Sequence, residues 1–271
     1  MNLDDPRTVF LLAVADDELV TGHRSSHWTG FAPSIESDLA FSTLAQDEIN
    51  HADLWYQVIL AGRGGDLGAV DRDDIDRLGL GREPGQYRHA VVCERPPNDF
   101  AYSLARHYLY DHFDAVRLDA LTASGDPDVA AVARKLRHEE RYHLEHADTW
   151  VRRVARASAD ARRELADGFA RVWAEALWLA EPTPAEDAVV GDLVPIGANE
   201  VGARWLGEVV PVLEELELPV AATIESTSEG WRIPDGHFDA PRGRHGEHTE
   251  DWSSAWEEMT HLHRAHPGAS W

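Results

Sequence analysis

The feature that most constrains this chain is a repeat of acidic and imidazole residues. "QDEINHADLWY" carries Glu48 and His51 three residues apart, and "RHEERYHLEHADTW" carries Glu140 and His143 with the same spacing. Each pair is preceded at nearly one distance by another acid: Glu18 lies 30 residues before Glu48, and Asp111 lies 29 before Glu140. Residues three apart on a helix share a face, so each Glu-x-x-His presents a carboxylate and an imidazole together. In an antiparallel helix pair, two arms of roughly 15 residues rising ~1.5 Å each bring positions about 30 apart to one level. Two such hairpins packed face to face would gather Glu18, Glu48, His51, Asp111, Glu140 and His143 into one layer of a bundle.

A single Glu-x-x-His most often decorates a solvated helix face. Two pairs with matched acids are much harder to reach by chance. Asp47, Asp53, Glu139, His138 and His146 lie close enough to be confused with ligands, and His112 or Asp114 with Asp111; the matched offsets select the six. Four carboxylates buried in one layer would strongly destabilise a fold without cations, because two neutral imidazoles relieve neither burial nor repulsion. Carboxylate and imidazole donors suit iron or manganese, and zinc could occupy such a site in vitro. The one cysteine, Cys93, cannot build a thiolate cluster alone, so any metal here is held by oxygen and nitrogen.

Pattern reading places helices around these residues. The first runs from about Asp5 to Thr21 and is interrupted at "HWTGFAPS"; Ser34, followed by Glu36 and Asp38, caps a second that reaches Leu60. A long Gly-rich connection over 62–98, with one short helix, reads as a lid, a binding loop or a partner contact. Further helices are expected over about Asp99–Thr122, Pro127–Ala155, Asp160–Ala180 and Ala185–Leu216, the last irregular near "VPIG". "PVAATIESTSEGWRIPDG" predicts a short hairpin or extended segment. A final helix over about Thr249–His263 precedes the tail "HPGASW". The economical expectation is one all-α domain: a four-helix bundle core over about 5–156 and a helical C-terminal extension over about 157–271. The histidines of "HGEHTE" and "HLHRAHP" lack regular carboxylate partners and are expected to be solvated or at an interface. Trp28, Trp55, Trp150, Trp173, Trp178 and Trp256 are expected in helix packing or a partner surface.

Charge narrows the partners. With 49 acidic residues against 25 basic ones, of which Lys135 is the only lysine, the net charge is -24. That argues against sequence-independent binding to nucleic acid or an anionic membrane, both of which need a basic face. An acidic surface suits either a high-salt cytoplasm, where repulsion is screened, or simply an acidic protein of a GC-rich genome. No apolar run approaches the roughly 18 residues of a membrane span, and "MNLDDPRTVF" lacks the regions of a signal peptide, so a cytoplasmic location is expected.

Several segments together resemble one family. "HWTGFAPSIESDLAFSTLAQDEINHA", "RPPNDFAYSLARHYLYDHFDAV", "RHEERYHLEHADTWVRR" and "GEHTEDWSSAWEEMTHLHRAHPGASW" are similar to the phenylacetic acid catabolic protein family, and within it to the C-type subunits of multicomponent phenylacetyl-CoA ring 1,2-epoxidases. The resemblance implies a ferritin-like fold and a place beside a paralogous A-type catalytic subunit, whose di-iron centre epoxidises phenylacetyl-CoA with electrons from a reductase subunit. It also implies that metal ligands are largely lost in the C-type chain. This sequence departs from that pattern by keeping acids and histidines at the positions matching the catalytic chain's ligands: Glu18, Glu48, His51, Asp111, Glu140 and His143. Two functions follow as expectations: a C-type subunit that retains a di-iron site, or a self-sufficient di-iron oxygenase. Iron storage fits less well, because long loops and a C-terminal extension do not suit a minimal cage.

Overall fold

The computed structural model describes residues 2–266 and Ala269, and among them the chain is all-α apart from one small hairpin. Part of the terminal pattern that contributes to the resemblance, Pro267, Gly268 and Trp271, lies outside the described residues.

Helix α1 (Pro6–Ser26) starts where sequence chemistry demands it. The Asp5 carboxylate accepts from the Thr8 amide, and Pro6 occupies the first turn, where its missing N–H costs nothing. It runs past Thr21 to Ser26, with Arg24 in its last turn suiting the negative end of the helix dipole. From Thr8 to Gly22 every residue is buried, so α1 is enclosed on all sides. Helix α2 (Ile35–Ala61) is capped by Ser34, whose hydroxyl accepts from the Ser37 amide, and it packs along α1. Gly22 lets the two backbones close together: a Cβ there would stand 2.9 Å from the Glu48 Cβ and 3.0 Å from the Ala45 carbonyl oxygen.

The connection that follows contains α3 (Arg72–Leu80) and the single turn α4 (Val91–Glu94). Its second part is core rather than open loop: Tyr87, His89, Ala90, Val92 and Cys93 are buried. Helices α5 (Phe100–Leu121) and α6 (Pro127–Ala157) form the second antiparallel pair, capped by Asp99 and Asp126. On α6 the buried positions Val129, Leu136, Glu140, His143, Ala147 and Val151 make one helical stripe. Glu140 and His143 therefore sit where apolar residues would be expected. Contact between α2 and α6 brings the two pairs together.

Helices α7 (Ala159–Ala176) and α8 (Ala198–Glu215) cover α5, with Phe113, Trp173 and Trp205 in ring contact between them. Trp55, Trp173, Trp205 and Trp252 are buried, in accord with packing roles. The helix expected from Ala185 begins only at Ala198. Gly191, at φ 91°, and an isolated bridge between Val190 and Val194 turn the chain back on itself, and Gly197 then caps the helix. Strands β1 (Glu225–Thr227) and β2 (Gly230–Arg232) form the antiparallel hairpin, which lies on α8. Helix α9 (Glu250–Ala265) crosses α3 and α4. No helix of the described residues is long and apolar enough to cross a membrane.

Candidate metal centre

All six repeat residues are buried and converge between the two helix pairs: Glu18 from α1, Glu48 and His51 from α2, Asp111 from α5, and Glu140 and His143 from α6. Donor atoms of Glu18, Glu48 and His51 lie within 4.8 Å of one another, as do those of Glu48, Asp111 and His143. Glu48 thus belongs to both groups. Glu140 stands between the imidazoles in the same way, its Oε1 being 3.3 Å from His51 Nδ1 and 3.1 Å from His143 Nδ1. The two rings are nearly parallel, with centroids 5.9 Å apart.

These groups are poorly satisfied by the protein itself. Both carboxylate oxygens of Glu18, Glu48 Oε2, Asp111 Oδ1 and Glu140 Oε2 are buried without a hydrogen-bond partner, and the contacts of Glu140 Oε1 with the two Nδ1 atoms lack hydrogen-bond geometry. Buried polar atoms are normally paired, and so many orphans facing one small volume fit a cation site. Four oxygen ligands and two nitrogen ligands, divided between two groups with shared carboxylates, fit a pair of divalent or trivalent ions.

Electrostatics point the same way. Burial, reinforced by the charge of Glu18, raises the Glu48 carboxyl well above its ordinary range. Burial would also raise Glu140, yet the neighbouring His143 and His51 hold it down at about 2. Burial alone would lower His51, but Glu140 and Glu18 outweigh it and push the imidazole up to about 10; His143 is raised likewise against burial, chiefly by Glu140. Protons on the imidazoles thus stand where metal ions would balance the same carboxylates.

A ring of outer contacts orients these side chains. Glu139 Oε2 lies 3.2 Å from His51 Nε2, and Asp47 Oδ2 lies 3.4 Å from His143 Nε2. Each acid precedes a glutamate of the centre on one helix and braces the histidine of the other, leaving both Nδ1 atoms turned inward. His107 Nδ1 lies 2.7 Å from Asp111 Oδ2, and its Nε2 meets His146 Nδ1 at 3.0 Å. Asp53 pairs with Arg72, Asp114 with Arg117, and His112 with Asp148 at 3.4 Å, while His138 is exposed.

The acids beside Glu18 have a role the repeat does not reveal. Asp16 accepts from Arg82 Nη1 at 2.9 Å, from Tyr56 Oη at 2.7 Å and from the Arg88 amide at 2.8 Å. Asp17 is held by Arg244 at 2.7 and 2.8 Å, by Arg117 at 2.6 Å and by the Ala90 amide at 2.8 Å. Burial would raise the Asp17 carboxyl, but Arg244 and Arg117 outweigh it and keep it below its ordinary value. Asp-Asp-Glu thus points in three directions, to two buried arginine clusters and to the centre. The chemical signal was present, three acids on a helix otherwise rich in apolar residues, but their partners are distant in sequence.

His248 departs from the expectation that the C-terminal histidines are solvated or at an interface. It is nearly buried, and its Nδ1 meets Glu94 Oε2 at 2.8 Å; His89 Nε2 meets the same oxygen at 2.8 Å. The Thr249 amide donates to Glu94 Oε1 at 2.6 Å, so this carboxylate is satisfied by protein donors and ties the start of α9 to α4.

Beside the centre opens a cavity of about 800 Å³ whose wall includes Glu140 together with Arg134, Arg137, Arg141 and Arg204. Arg137 is paired with Asp119 at 2.9 Å and Arg204 with Glu200 at 2.6 Å. Arg134 and Arg141 bond to the main-chain carbonyls of Thr122 and His138.

The C-type subunit of the 1,2-phenylacetyl-CoA epoxidase of Escherichia coli (strain K12) is 27% identical over 266 residues, covering 97% of this chain and 98% of that protein. The family model described as phenylacetic acid catabolic protein matches residues 2–271, and the chain belongs to that family.

Proposed function

We propose that the chain is the C-type subunit of a multicomponent phenylacetyl-CoA 1,2-epoxidase, pairing with a paralogous A-type catalytic chain and retaining its own two-metal site. The observation that carries this reading is the near end-to-end match to the C-type subunit of such an epoxidase. The self-sufficient oxygenase is the weaker reading, because that relative is named as a subunit.

A partner surface is available on the bundle. Ile35 and Leu39, one turn apart on α2, are 77% and 64% exposed and form an apolar stripe on an otherwise acidic protein, and Phe31 in the turn before α2 is 81% exposed. Such a stripe is the usual core of a contact between protein chains. A reductase would then meet the assembled pair rather than this chain alone.

Glu18, Glu48 and His51 would hold one metal ion, and Asp111, Glu140 and His143 the other, with Glu48 and Glu140 between them. Iron is the favoured occupant and manganese the alternative. Bound iron would supply the redox capacity for dioxygen chemistry. The chain's own residues keep the ligand atoms aimed inward through Asp47 and Glu139, and exclude water by burial. The arginines of the cavity beside Glu140 suit the phosphates of an acyl-CoA.

Co-expression with an A-type chain tests the subunit reading. A stable stoichiometric complex is expected, and Phe31→Asp with Leu39→Asp should abolish it while leaving the free chain's melting temperature within a few degrees, as surface changes cost about 0.5 kcal/mol or less. Isolation only as a free monomer would overturn the reading.

A further inference from the structure

A second group of metal-ligating side chains lies outside the bundle centre, where the end of α1 meets α9. His23 lies in the last turn of α1 and His27, four residues on, is its C-cap with the backbone still in the helical region, so their rings share one side with centroids 5.1 Å apart. Glu258 faces them from α9: one carboxylate oxygen lies 3.7 Å from His23 Nε2 and the other 3.2 Å from His27 Nε2. One donor atom from each of the three residues falls within 4.8 Å of the others.

We propose that His23, His27 and Glu258 form a transition-metal site, separate from the bundle centre, for a single divalent ion of the zinc class. The argument rests on convergence and on unmet bonding. Both Nε2 atoms are shut off from solvent and have no hydrogen-bond partner, although each is directed at a carboxylate. A neutral imidazole is the form that binds metal. Zinc held at about 2.0–2.1 Å from each donor sets tetrahedral donors roughly 3.3 Å apart, and the observed histidine-to-carboxylate distances bracket that separation. Three protein ligands leave a fourth position for water. Solvent has access, because Glu258 is half-exposed and His23 also lines a cavity of about 260 Å³.

The site's place in the fold defines its consequence. Helix α9 is otherwise fastened at its start by Glu94 and by the Arg95–Asp251 pair, and along its length by the indoles of Trp252 and Trp256, which donate to the carbonyls of Pro84 and Arg82. A metal bound to α1 and α9 together would clamp the C-terminal helix directly onto the helix that carries Glu18. The two histidines sit past the buried stretch of α1, so the clamp neither shares a ligand with the central site nor depends on its occupancy.

The test uses full-length chain stripped with chelator and titrated with Zn2+ and Co2+. Wild type is expected to bind one ion per chain more than a His27→Ala/Glu258→Ala variant, whose affinity for that ion falls at least tenfold. In a Glu48→Ala/His143→Ala background, Co2+ should still give the visible absorption of a four-coordinate site, and adding His27→Ala should abolish it. Zn2+ should also raise the melting temperature of wild type more than that of His27→Ala. Equal stoichiometry and equal Zn2+ stabilisation in wild type and His27→Ala/Glu258→Ala would overturn the proposal, even if the central variants fail to fold.

Discussion

Replacing Glu48 with glutamine separates a metal centre from a structural polar cluster, because the two predict opposite changes in stability. Glu48 and Glu18 present donor oxygens within 4.8 Å of each other in a buried layer, with Glu140 adding a like charge. At an effective dielectric of about 20, two unit charges at that separation repel by about 3 kcal/mol. The metal-free protein carries this penalty either as repulsion or as the free energy of keeping Glu48 protonated near neutral pH. Glu48→Gln removes it while preserving shape. The metal-free variant should therefore be more stable than metal-free wild type by roughly 1–3 kcal/mol, as read from chemical unfolding midpoints at pH 8. It should also lose tight binding of both ions, since Glu48 belongs to both ligand groups. With metal present the order reverses, because only the wild type gains binding free energy on top of folding. A metal-free variant less stable than wild type by more than about 1 kcal/mol, with two ions still bound, would refute this account of the centre.

Other perturbations probe the supporting structure. Arg244→Met removes two bonds to Asp17 and the bonds to the carbonyl oxygens of Ala13, Arg88 and Leu179, leaving Asp17 as a buried charge short of a partner, so a loss of about 3–5 kcal/mol is expected in thermal or chemical unfolding. Gly22→Ala forces a methyl against Glu48 Cβ at 2.9 Å; stability should fall by about 1–3 kcal/mol and metal affinity should fall with it, measured by unfolding and by metal content. The pH dependence is set partly by His89, which burial and then His248 hold down at about 4, below its ordinary 6.5. An imidazole with a depressed folded value destabilises the fold as pH drops from about 6.5 towards 4, by up to roughly 3 kcal/mol. Glu94, kept well below its ordinary value against burial by His248 and His89, adds a further loss as pH falls below about 4.5. His89→Gln should flatten the upper part of this decline in melts taken across pH 4–7.

The repeat was legible because it is local chemistry. Caps at Asp5, Ser34, Asp99 and Asp126 start four helices through bonds spanning only two or three residues, and the 3.6-residue period puts Glu140 and His143 on the buried stripe of α6. The matched spacings of Glu18 and Asp111 to the two pairs then follow from helix rise alone. Near neighbours therefore carried both the all-α architecture and the six buried residues of the centre.

Long-range partners were beyond that reach. Asp16, Asp17 and Glu18 are consecutive acids that look equivalent on a sequence, and successive helix positions turn about 100°, so each meets a different wall of the fold. Arg82, Arg117 and Arg244, which answer the first two, come from separate segments brought in by packing. His248 is buried against Glu94, 154 residues earlier, although its neighbours read as solvent-exposed. The crossed bracing of His51 by Glu139 and His143 by Asp47 exists only because α2 and α6 touch. The sequence by itself determined which residues could stand on one helix face, because periodicity and capping act over a few residues. Which faces meet, and so which acids bind arginine and which converge on one buried centre, was decided only by tertiary packing, where burial makes every unpaired charge seek a partner.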